Sequence, residues 1–248
     1  MISGMRSLFA VLLLASAAVA ETVASGATQP QLAQDSDGAF YCTFVRNGNI
    51  ELSISTDGGK TWSAPAVAID VKGKAQGGKQ RGPRIGVDGK KDVFITAPLC
   101  FDPEKQKEKY PKCELWLAIS KDGGKTFEKP VQVNDTPGSA AESLHQLAVS
   151  DAGDAHVVWL DDRAGKGNSL WYAKVSGGKV GKNVKISPPV CPCCAPGIAI
   201  DGKGNPFVAY REMADDSSRE IFLTMSRDGG KSFAPPARVN KKDTKIPD

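Results

Sequence analysis

Histidine, methionine and aromatic residues are scarce in this chain of 248 residues, which has 2 His, 4 Met and 7% aromatic residues. The two histidines, His145 and His156, are too few and too far apart in sequence for a metal site built on histidine. The formal net charge is only +4, and no run of Lys and Arg is interleaved with aromatic residues, which argues against a nucleic-acid partner. Long apolar runs and amphipathic helical patterns are missing after residue 20, which argues against a helical or membrane-spanning protein.

The first 20 residues have the pattern of a secretory signal peptide. Arg6 precedes an apolar run from Leu8 to Ala18, and Ala18-Val19-Ala20 provides the small residues of a cleavage site. Because the run is too short to span a bilayer and is removed on cleavage, it provides no anchor. We therefore expect a mature domain of residues 21–248 that is exported to the periplasm or the medium and makes no membrane contact.

Glycine and proline are frequent and dispersed, with 26 Gly and 16 Pro, as is typical of many short strands joined by turns. One stretch of eight residues occurs three times and fits S-x-D-x-G-x-[ST]-[WF]. In every copy the residue before the pattern glycine is also Gly, so each copy contains two adjacent glycines. The pattern residues are Ser55, Asp57, Gly59, Thr61 and Trp62, then Ser120, Asp122, Gly124, Thr126 and Phe127, then Ser226, Asp228, Gly230, Ser232 and Phe233.

Each copy lies between two alternating apolar runs, so it predicts a turn between two strands. Adjacent glycines allow positive φ, and the Asp can accept hydrogen bonds from backbone N–H groups of its own turn. The Ser and Thr hydroxyls can tie down the ends of the turn, and the closing aromatic ring can pack on the sheet. This pattern resembles the Asp-box, or BNR repeat, of sialidase-like β-propellers. In that family the boxes lie on the side away from the active site, so the resemblance implies a structural role for them and no catalytic one.

The spacing of the boxes predicts four repeats. Their first serines are residues 55, 120 and 226, and the longer second gap has room for a further copy. Ser176-Gly177-Gly178-Lys179 is interpreted as that copy, a box that has lost its Asp. Asp/Gly turns at residues 35–38, 88–89, 151–153 and 201–204 follow the same period.

Each repeat therefore consists of strand A, an Asp/Gly turn, strand B, a variable loop, strand C, the box and strand D. Four strands per repeat predict an all-β fold, a β-propeller of four-stranded antiparallel blades at about 28–71, 80–135, 143–188 and 194–241. The resemblance implies six blades, so we expect a propeller truncated at its C-terminus, since an open end exposes an unpaired edge. A closed ring of four blades is the alternative.

Functional residues are expected on the side opposite the boxes, where the B–C loops and the connections between blades converge. Sialidases bind the carboxylate of the substrate with arginines, and use an Asp acid/base and a Tyr nucleophile activated by a Glu. The resemblance thus implies the substrate-binding residues Arg84, Arg163, Arg211 and Tyr210 and the catalytic residues Asp161, Asp162 and Glu212. Of these, only Arg84-Ile85 echoes the family's Arg-Ile-Pro signature. The alternative is that all of them are solvated loop residues or members of local ion pairs.

The cysteines offer two further predictions. Cys100 and Cys113 bracket the longest B–C loop, and an exported chain meets oxidising conditions, so we expect a disulfide between them. The segment Cys191-Pro192-Cys193-Cys194 falls in the connection between the third and fourth repeats. These three cysteines either form disulfides, with Cys42 or with cysteines beyond this sequence, or bind a soft metal such as Cu(I) or Zn(II).

Three functions are compatible with this sequence. The first is an exported glycosidase of the exo-α-sialidase type that acts on glycans. The second is a non-catalytic propeller that binds a glycan or a protein. The third is a metal-handling protein that uses Cys191, Cys193 and Cys194. No cofactor is predicted, a glycan or glycoconjugate is the expected partner, and the oligomeric state is left open.

Overall fold

The structure, a computed structural model, describes residues 22–71, 75, 80–100, 112–140, 142–165, 167–213 and 219–241. The predicted signal peptide and the charged part of the longest B–C loop, residues 101–111, lie outside these residues. Within the described ranges, no helix has the length and apolar character needed to cross a bilayer.

The named elements are β-strands that form four antiparallel sheets, called blades 1 to 4 in chain order. Blade 1 contains β1 (Thr28–Gln34), β2 (Phe40–Arg46), β3 (Asn49–Ser55) and β4 (Ala66–Ile69). Blade 2 contains β5 (Arg84–Val87), β6 (Val93–Leu99), β7 (Glu114–Ser120) and β8 (Val131–Gln132). Blade 3 contains β9 (His145–Val149), β10 (Asp154–Asp161), β11 (Ser169–Ser176), β12 (Lys179–Val180) and β13 (Val184–Pro189). Blade 4 contains β14 (Gly197–Ile200), β15 (Pro206–Met213), β16 (Arg219–Met225) and β17 (Ala237–Arg238).

Each blade is a meander in which the strands pair in sequence order. In blade 3 the outer strand is split, because β12 and β13 both pair with β11. The central pairing of that blade is regular, running without a bulge from Asp154–Ser176 to Asp161–Ser169. The predicted all-β fold of four-stranded antiparallel blades is therefore confirmed, and each sheet matches one predicted repeat, except that β13 runs one residue past the predicted end at 188.

Hydrophobic cores lie between successive blades. Leu52 of β3 packs in one cluster with Val93 and Ile95 of β6. The next cluster joins Leu117 of blade 2 to Trp159 of blade 3, and a third joins blades 3 and 4. Strands in the middle of a stack face apolar neighbours on both sides, so they form continuous apolar runs rather than alternating ones. The strand β6 shows this most clearly, since every one of its residues is buried.

The three Asp-boxes adopt one hydrogen-bonded geometry. In the second box, Asp122 Oδ1 accepts hydrogen bonds from the backbone N–H groups of Lys125 at 3.0 Å and Thr126 at 2.9 Å. Its Oδ2 accepts one from Thr126 Oγ1 at 2.6 Å, and Ser120 Oγ accepts one from Gly124 N at 2.8 Å. The same contacts occur in the boxes of Asp57 and Asp228. These bonds stabilise the ionised carboxylate, so the pKa of each box Asp is well below its usual value, chiefly through the Thr or Ser hydroxyl.

The A–B turns repeat as well. Asp35, Asp88 and Asp201 each accept two backbone N–H hydrogen bonds from their own turns through Oδ1. In blade 3 the equivalent acceptor is Ser150 Oγ, which binds Asp154 N at 3.1 Å. The turn residue therefore differs by one position from the Asp151 expected from the sequence pattern.

The degenerate fourth copy has a simpler turn. Gly177 and Gly178, with φ of 54° and 76°, form a two-residue hairpin that pairs Ser176 with Lys179. Positive φ at both central residues is the geometry of the tight turns that match the twist of antiparallel strands. Without an Asp to fold the longer box, the chain turns directly into β12.

Candidate functional site

The two ends of the blades carry different features. The A–B turns and the boxes lie at one end, here named the box side, where Lys121 of the second box pairs with Asp92 at 2.6 Å. Gly229 N of the third box likewise donates to Asn205 Oδ1 at 3.2 Å. Because the strands alternate in direction, the B–C loops and the connections between blades meet at the opposite end, here named the loop side. The predicted functional residues all come from segments of the loop side or from the strand ends that lead into it.

A chain of polar contacts crosses the loop side and was not foreseen from the sequence. Arg81 Nε donates to the backbone oxygen of Glu142 at 2.7 Å, and its Nη2 lies 3.3 Å from Glu142 Oε2. Asn168 Nδ2 donates to Glu142 Oε1 at 3.4 Å, and Asn168 O accepts a bond from Val190 N at 2.7 Å. These contacts join the segments that enter blades 2, 3 and 4. No local motif marks them, because the partners are separated by tens of residues in sequence.

Asp161 is fully buried at the end of β10. Its Oδ1 accepts bonds from Arg163 N at 3.0 Å and Arg163 Nε at 2.8 Å. Its Oδ2 accepts bonds from Ser139 Oγ at 2.6 Å, Trp159 Nε1 at 2.8 Å and Arg163 Nη2 at 2.8 Å. A general acid or base must reach the bound substrate, and this carboxylate, enclosed by five donors, does not reach solvent. Its contacts are those of a residue that positions the loop.

The side chain of Arg163 is also fixed by contacts within this chain. Besides its paired contact with Asp161, its guanidinium forms an ion pair with Asp135 and lies 4.1 Å from the ring centroid of Trp171. Asn183 Oδ1 accepts a further bond from Arg163 Nη2 at 3.2 Å. Burial acts to lower the pKa of Arg163, but Asp161 and Asp135 outweigh it and raise the pKa. The guanidinium group of Arg163 thus pairs with Asp161 and Asp135 of this chain. The sequence suggested that it would bind a substrate carboxylate.

Asp162, the next residue, is exposed on the loop side. Partial burial of its carboxyl group and the negative charge of Asp161 raise its pKa, and the nearby cations Lys112 and Arg163 oppose the shift. A carboxyl group that faces solvent with a raised pKa has one of the properties of a general acid. Of the two adjacent aspartates, Asp162 is therefore the one that is placed for chemistry.

Arg84 opens β5 as predicted, but its side chain is buried and turned toward its own loop. Nη1 donates to Gly82 O and Pro83 O, both at 3.0 Å, and Nη2 donates to Gln80 O at 2.8 Å. Burial lowers the pKa of this guanidinium. His145, buried at the start of β9, has its Nε2 3.0 Å from Thr96 Oγ1. Burial, reinforced by the charge of Arg84, lowers the pKa of His145 to about 3, so this ring is neutral at physiological pH.

Tyr210 and Glu212 lie on β15, but they occupy different environments. Tyr210 is buried in the core between blades 3 and 4 and stacks on Phe222, with ring centroids 6.1 Å apart. Burial raises the pKa of its phenol, to which the charge of Glu212 adds. Glu212 is half-buried, and burial raises its pKa while Arg238 opposes the shift. Tyr210 therefore acts as a core residue here, and Glu212 stays a candidate acid.

His156 lies in the middle of β10, away from the loop side. Its Nδ1 is 2.7 Å from the hydroxyl oxygen of Tyr172, and burial lowers its pKa to about 4. His156 is therefore a packed core residue of blade 3.

The cysteines of the loop side form one disulfide and one cluster of thiols. The structure joins Cys100 and Cys113 in a disulfide directly beyond the Leu99–Glu114 pair that ends the β6–β7 ladder. Cys191, Cys193 and Cys194 are free thiols with Sγ–Sγ distances of 3.1, 3.8 and 3.3 Å. Cys42, a free buried thiol on β2, has its pKa raised by burial.

Hydrogen bonds among the clustered thiols shift the pKa values of Cys191 and Cys193 in opposite directions. Burial opposes ionisation of Cys191, but hydrogen bonds from Cys193 and Cys194 outweigh it and lower its pKa. The same contact with Cys191 raises the pKa of Cys193 to about 11. Cys191 therefore ionises before Cys193.

The box side also contains clefts. One of about 450 Å³ lies between the A–B turns of blades 3 and 4, where Asp151, Lys174, Asp201 and Lys203 line it. Another, of about 460 Å³, lies between the outer strand of blade 3 and the third box. Asp154 also lines the first cleft, so charges of both signs surround it.

Comparison with known proteins identifies the repeat and the fold. The BNR/Asp-box repeat family matches residues 53–64, which contain the first box. A Hadza microbial sialidase, Hz136, superposes with a TM-score of 0.58 at 15% identity, over 85% of this chain and 46% of that one. The fold is that of the sialidase-like Asp-box β-propellers. Comparison with curated protein sequences found no match.

Other solved structures with this fold perform different reactions. The α-L-arabinanase of Penicillium chrysogenum, complexed with arabinobiose, has a TM-score of 0.57 at 14% identity, over 89% of this chain and 69% of that one. A PL25 ulvan lyase bound to -[GlcA(1-4)Rha3S]- has a TM-score of 0.63 at 12% identity, over 86% and 56%. This propeller chain spans about half the length of the sialidase and the lyase. At these identities the likeness shows the fold alone.

Proposed function

We propose that this protein is an exported propeller that binds a glycan on its loop side. The observation that supports the proposal best is the variety of reactions among the similar structures. A sialidase, an arabinanase and a polysaccharide lyase share the fold, and two of them hold a saccharide. Their common property is saccharide recognition, while the reaction depends on the residues that each protein places at its site.

The geometry of this chain favours binding over the sialidase reaction. Asp161 and Arg163 are engaged with each other and with Asp135. Tyr210 lies in the hydrophobic core. The catalytic pattern of a sialidase needs an exposed acid, a nucleophile and free arginine forks that converge on one substrate. Among the described residues that the sequence suggested for these roles, Asp162 is the exposed one.

Glycoside hydrolysis is the second candidate function, and Asp162 and Glu212 favour it. Both carboxyl groups belong to the loop side, and the pKa of each is raised chiefly by burial. A carboxylic acid with a raised pKa stays protonated to a higher pH, which favours donation of its proton to a leaving group.

A glycan array tests binding, with sialosides, arabino-oligosaccharides and sulfated uronate oligosaccharides as the probes. We expect saturable binding to at least one of these classes. Two alanines of blade 3 provide matched variants, because Ala164 is exposed in the B–C loop and Ala152 is exposed in the A–B turn. Ala164→Trp would obstruct the loop side and weaken binding, whereas Ala152→Trp would obstruct only the box side and leave it unchanged. Absence of binding by folded protein, or equal effects of the two variants, contradicts the proposal.

A fluorogenic sialoside decides between binding and hydrolysis. Turnover that Asp162→Asn abolishes establishes the hydrolase and assigns Asp162 a role in it. Binding of a sialoside without turnover excludes the sialidase reaction. Turnover that persists in both Asp162→Asn and Glu212→Gln contradicts the acid roles of these two residues.

A further inference from the structure

The three cysteines between blades 3 and 4 converge on one point. Their Sγ atoms lie 3.1, 3.8 and 3.3 Å apart, although only Cys193 and Cys194 are adjacent in sequence. Cys191 is fully buried, Cys194 is half-buried and Cys193 is exposed. The cluster therefore has an enclosed side formed by the protein and an open side through which an ion can enter.

The backbone holds this arrangement in place. Val190 forms a β-bridge with Glu212, and Cys191 N donates to Arg211 O at 3.0 Å. These contacts fasten the segment to β15 of blade 4. Cys194 N then donates to Cys191 O at 3.4 Å, which closes a turn around Pro192. Three sulfurs on a tight turn that is tied to a strand are pre-organised, so binding an ion there orders little additional chain.

We propose that Cys191, Cys193 and Cys194 form a three-thiolate site for one soft monovalent cation, Cu(I). Thiolates are soft ligands that select Cu(I) and Zn(II) over the hard cations Mg²⁺ and Ca²⁺. Structural Zn(II) needs four ligands in a tetrahedron, and this turn offers three sulfurs. The cluster does not depend on the proposed glycan site, since none of the residues tested there is one of its ligands.

The distances suit one ion. In the plane of the three sulfurs, the point equidistant from them lies about 2.0 Å from each Sγ atom. An ion with metal–sulfur bonds of about 2.3 Å would therefore sit about 1.2 Å above the plane of the sulfurs without moving them. A small spread of the sulfurs would bring it into their plane.

Charge also favours a cation held by thiolates. One Cu(I) with three thiolates has a net charge of −2, which needs positive neighbours in a partly buried site. Arg211 Nη1 lies 3.8 Å from Cys194 Sγ, and Arg219 acts favourably on the charge of Cys191. Arg211, whose guanidinium group the sequence suggested for a substrate carboxylate, thus lies beside the sulfur cluster.

Anaerobic titration of reduced protein with Cu(I), in competition with a coloured Cu(I) chelator, tests the proposal. We expect one Cu(I) per chain. Cys193→Ser and Cys194→Ser should each weaken binding by at least about 100-fold, because losing a ligand costs more than losing a second-shell partner, which is worth 10–100-fold. Cys42→Ser is the matched control, since Cys42 is a free thiol on blade 1, and it should bind as the parent protein does.

Each other result overturns the proposal. Equal binding by the parent and by Cys193→Ser would show that the copper is bound elsewhere, and loss of binding in Cys42→Ser would do the same. Zn(II) bound by the parent and not displaced by Cu(I) would overturn the choice of ion. X-ray absorption at the copper edge should show three sulfur neighbours, and two would contradict the three-thiolate site. Melting curves of all variants establish that the losses do not come from unfolding.

Discussion

Gly230, the second glycine of the third Asp-box, lies directly against Tyr172 in the preceding blade. A Cβ built on Gly230 would lie 2.1 Å from the hydroxyl oxygen of Tyr172 and 2.6 Å from two of its ring carbons. Gly124 of the second box has the same relation to blade 1, where its Cβ would lie 2.6 Å from Leu52 Cδ2. The second glycine therefore has two functions, since it allows the positive φ of the turn and lets the box touch the blade before it.

Separate substitutions of the two glycines of one box distinguish the need for positive φ from the need for close packing. Gly229 and Gly230 both have positive φ, 72° and 93°, but a Cβ on Gly229 meets nothing within 4 Å. Gly229→Ala should cost about 1 kcal/mol of unfolding free energy through backbone strain alone. Gly230→Ala should cost about 2–4 kcal/mol, because overpacking against Tyr172 adds to the strain. Urea unfolding measures both, and equal costs would show that the contact with Tyr172 contributes nothing.

Arg163 and Asp161 should behave as one energetic unit. Arg163→Met leaves the fully buried carboxylate of Asp161 without its cation, and loss of one partner of a buried pair costs about 3–5 kcal/mol. Adding Asp161→Asn to that variant should restore part of the loss, so the double-mutant cycle should show a coupling free energy above about 1 kcal/mol.

The Lys91–Asp37 pair is the control for this cycle. Both of its side chains are exposed, and exposed ion pairs contribute about 0–1 kcal/mol. Additive effects of the Arg163 and Asp161 substitutions would contradict the structural role given to this pair.

The two histidines should make the protein sensitive to acid. Burial lowers the pKa of His145 to about 3 and that of His156 to about 4, whereas an unfolded histidine has a pKa near 6.5. Between about pH 6.5 and pH 4 the unfolded chain therefore binds protons that the folded chain does not, and stability falls as the pH is lowered. Each histidine should contribute up to about 1.4 kcal/mol per pH unit in this window. Above pH 7 neither has an effect.

Unfolding experiments at a series of pH values check this expectation. His156→Gln should reduce the slope of stability against pH in that window, even if it lowers the stability at pH 7. Titration of the imidazole protons by NMR provides an independent measurement. A His145 signal that titrates near pH 6.5 in the folded protein would contradict the neutral, buried ring.

The disulfide between Cys100 and Cys113 should be a major stabilising link. It closes a loop with a sequence separation of 13 residues, and the chain-entropy argument assigns about 3 kcal/mol to a loop of this size. The double variant Cys100→Ala/Cys113→Ala, or reduction of the parent, should lower the unfolding free energy by that amount. Cys42→Ala controls for loss of a buried sulfur, and reduction should not change the stability of the double variant.

The regular part of the fold could be predicted because its signals are local. An Asp-box forms its turn through bonds within eight residues, so three copies locate three strand pairs without knowledge of the rest of the chain. Blades 2 and 4 each have an Asn two residues beyond their outer strand, at Asn134 and Asn240. Each of these side chains accepts a hydrogen bond from the second or third residue of the neighbouring strand, Leu115 N and Ile221 N.

The candidate site could be predicted less well, because its contacts are distant in sequence. Asp161 and Asp162 look equivalent in the sequence, but Asp161 is the last residue of β10 and Asp162 lies just beyond the strand. Contacts with Ser139 and Trp159 bury the carboxylate of Asp161, while Asp162 is exposed. Glu142 meets Arg81 across 61 residues. The three cysteines are the exception, since a span of four residues already predicted that their sulfurs could meet.

The contacts of the second and third boxes with the blades before them give assembly a direction. Gly124 needs the folded surface of blade 1, and Gly230 needs that of blade 3. During synthesis the chain emerges from its N-terminus, so each new blade meets a docking surface that already exists. The propeller can thus fold vectorially, with every completed blade serving as the template for the one that follows it.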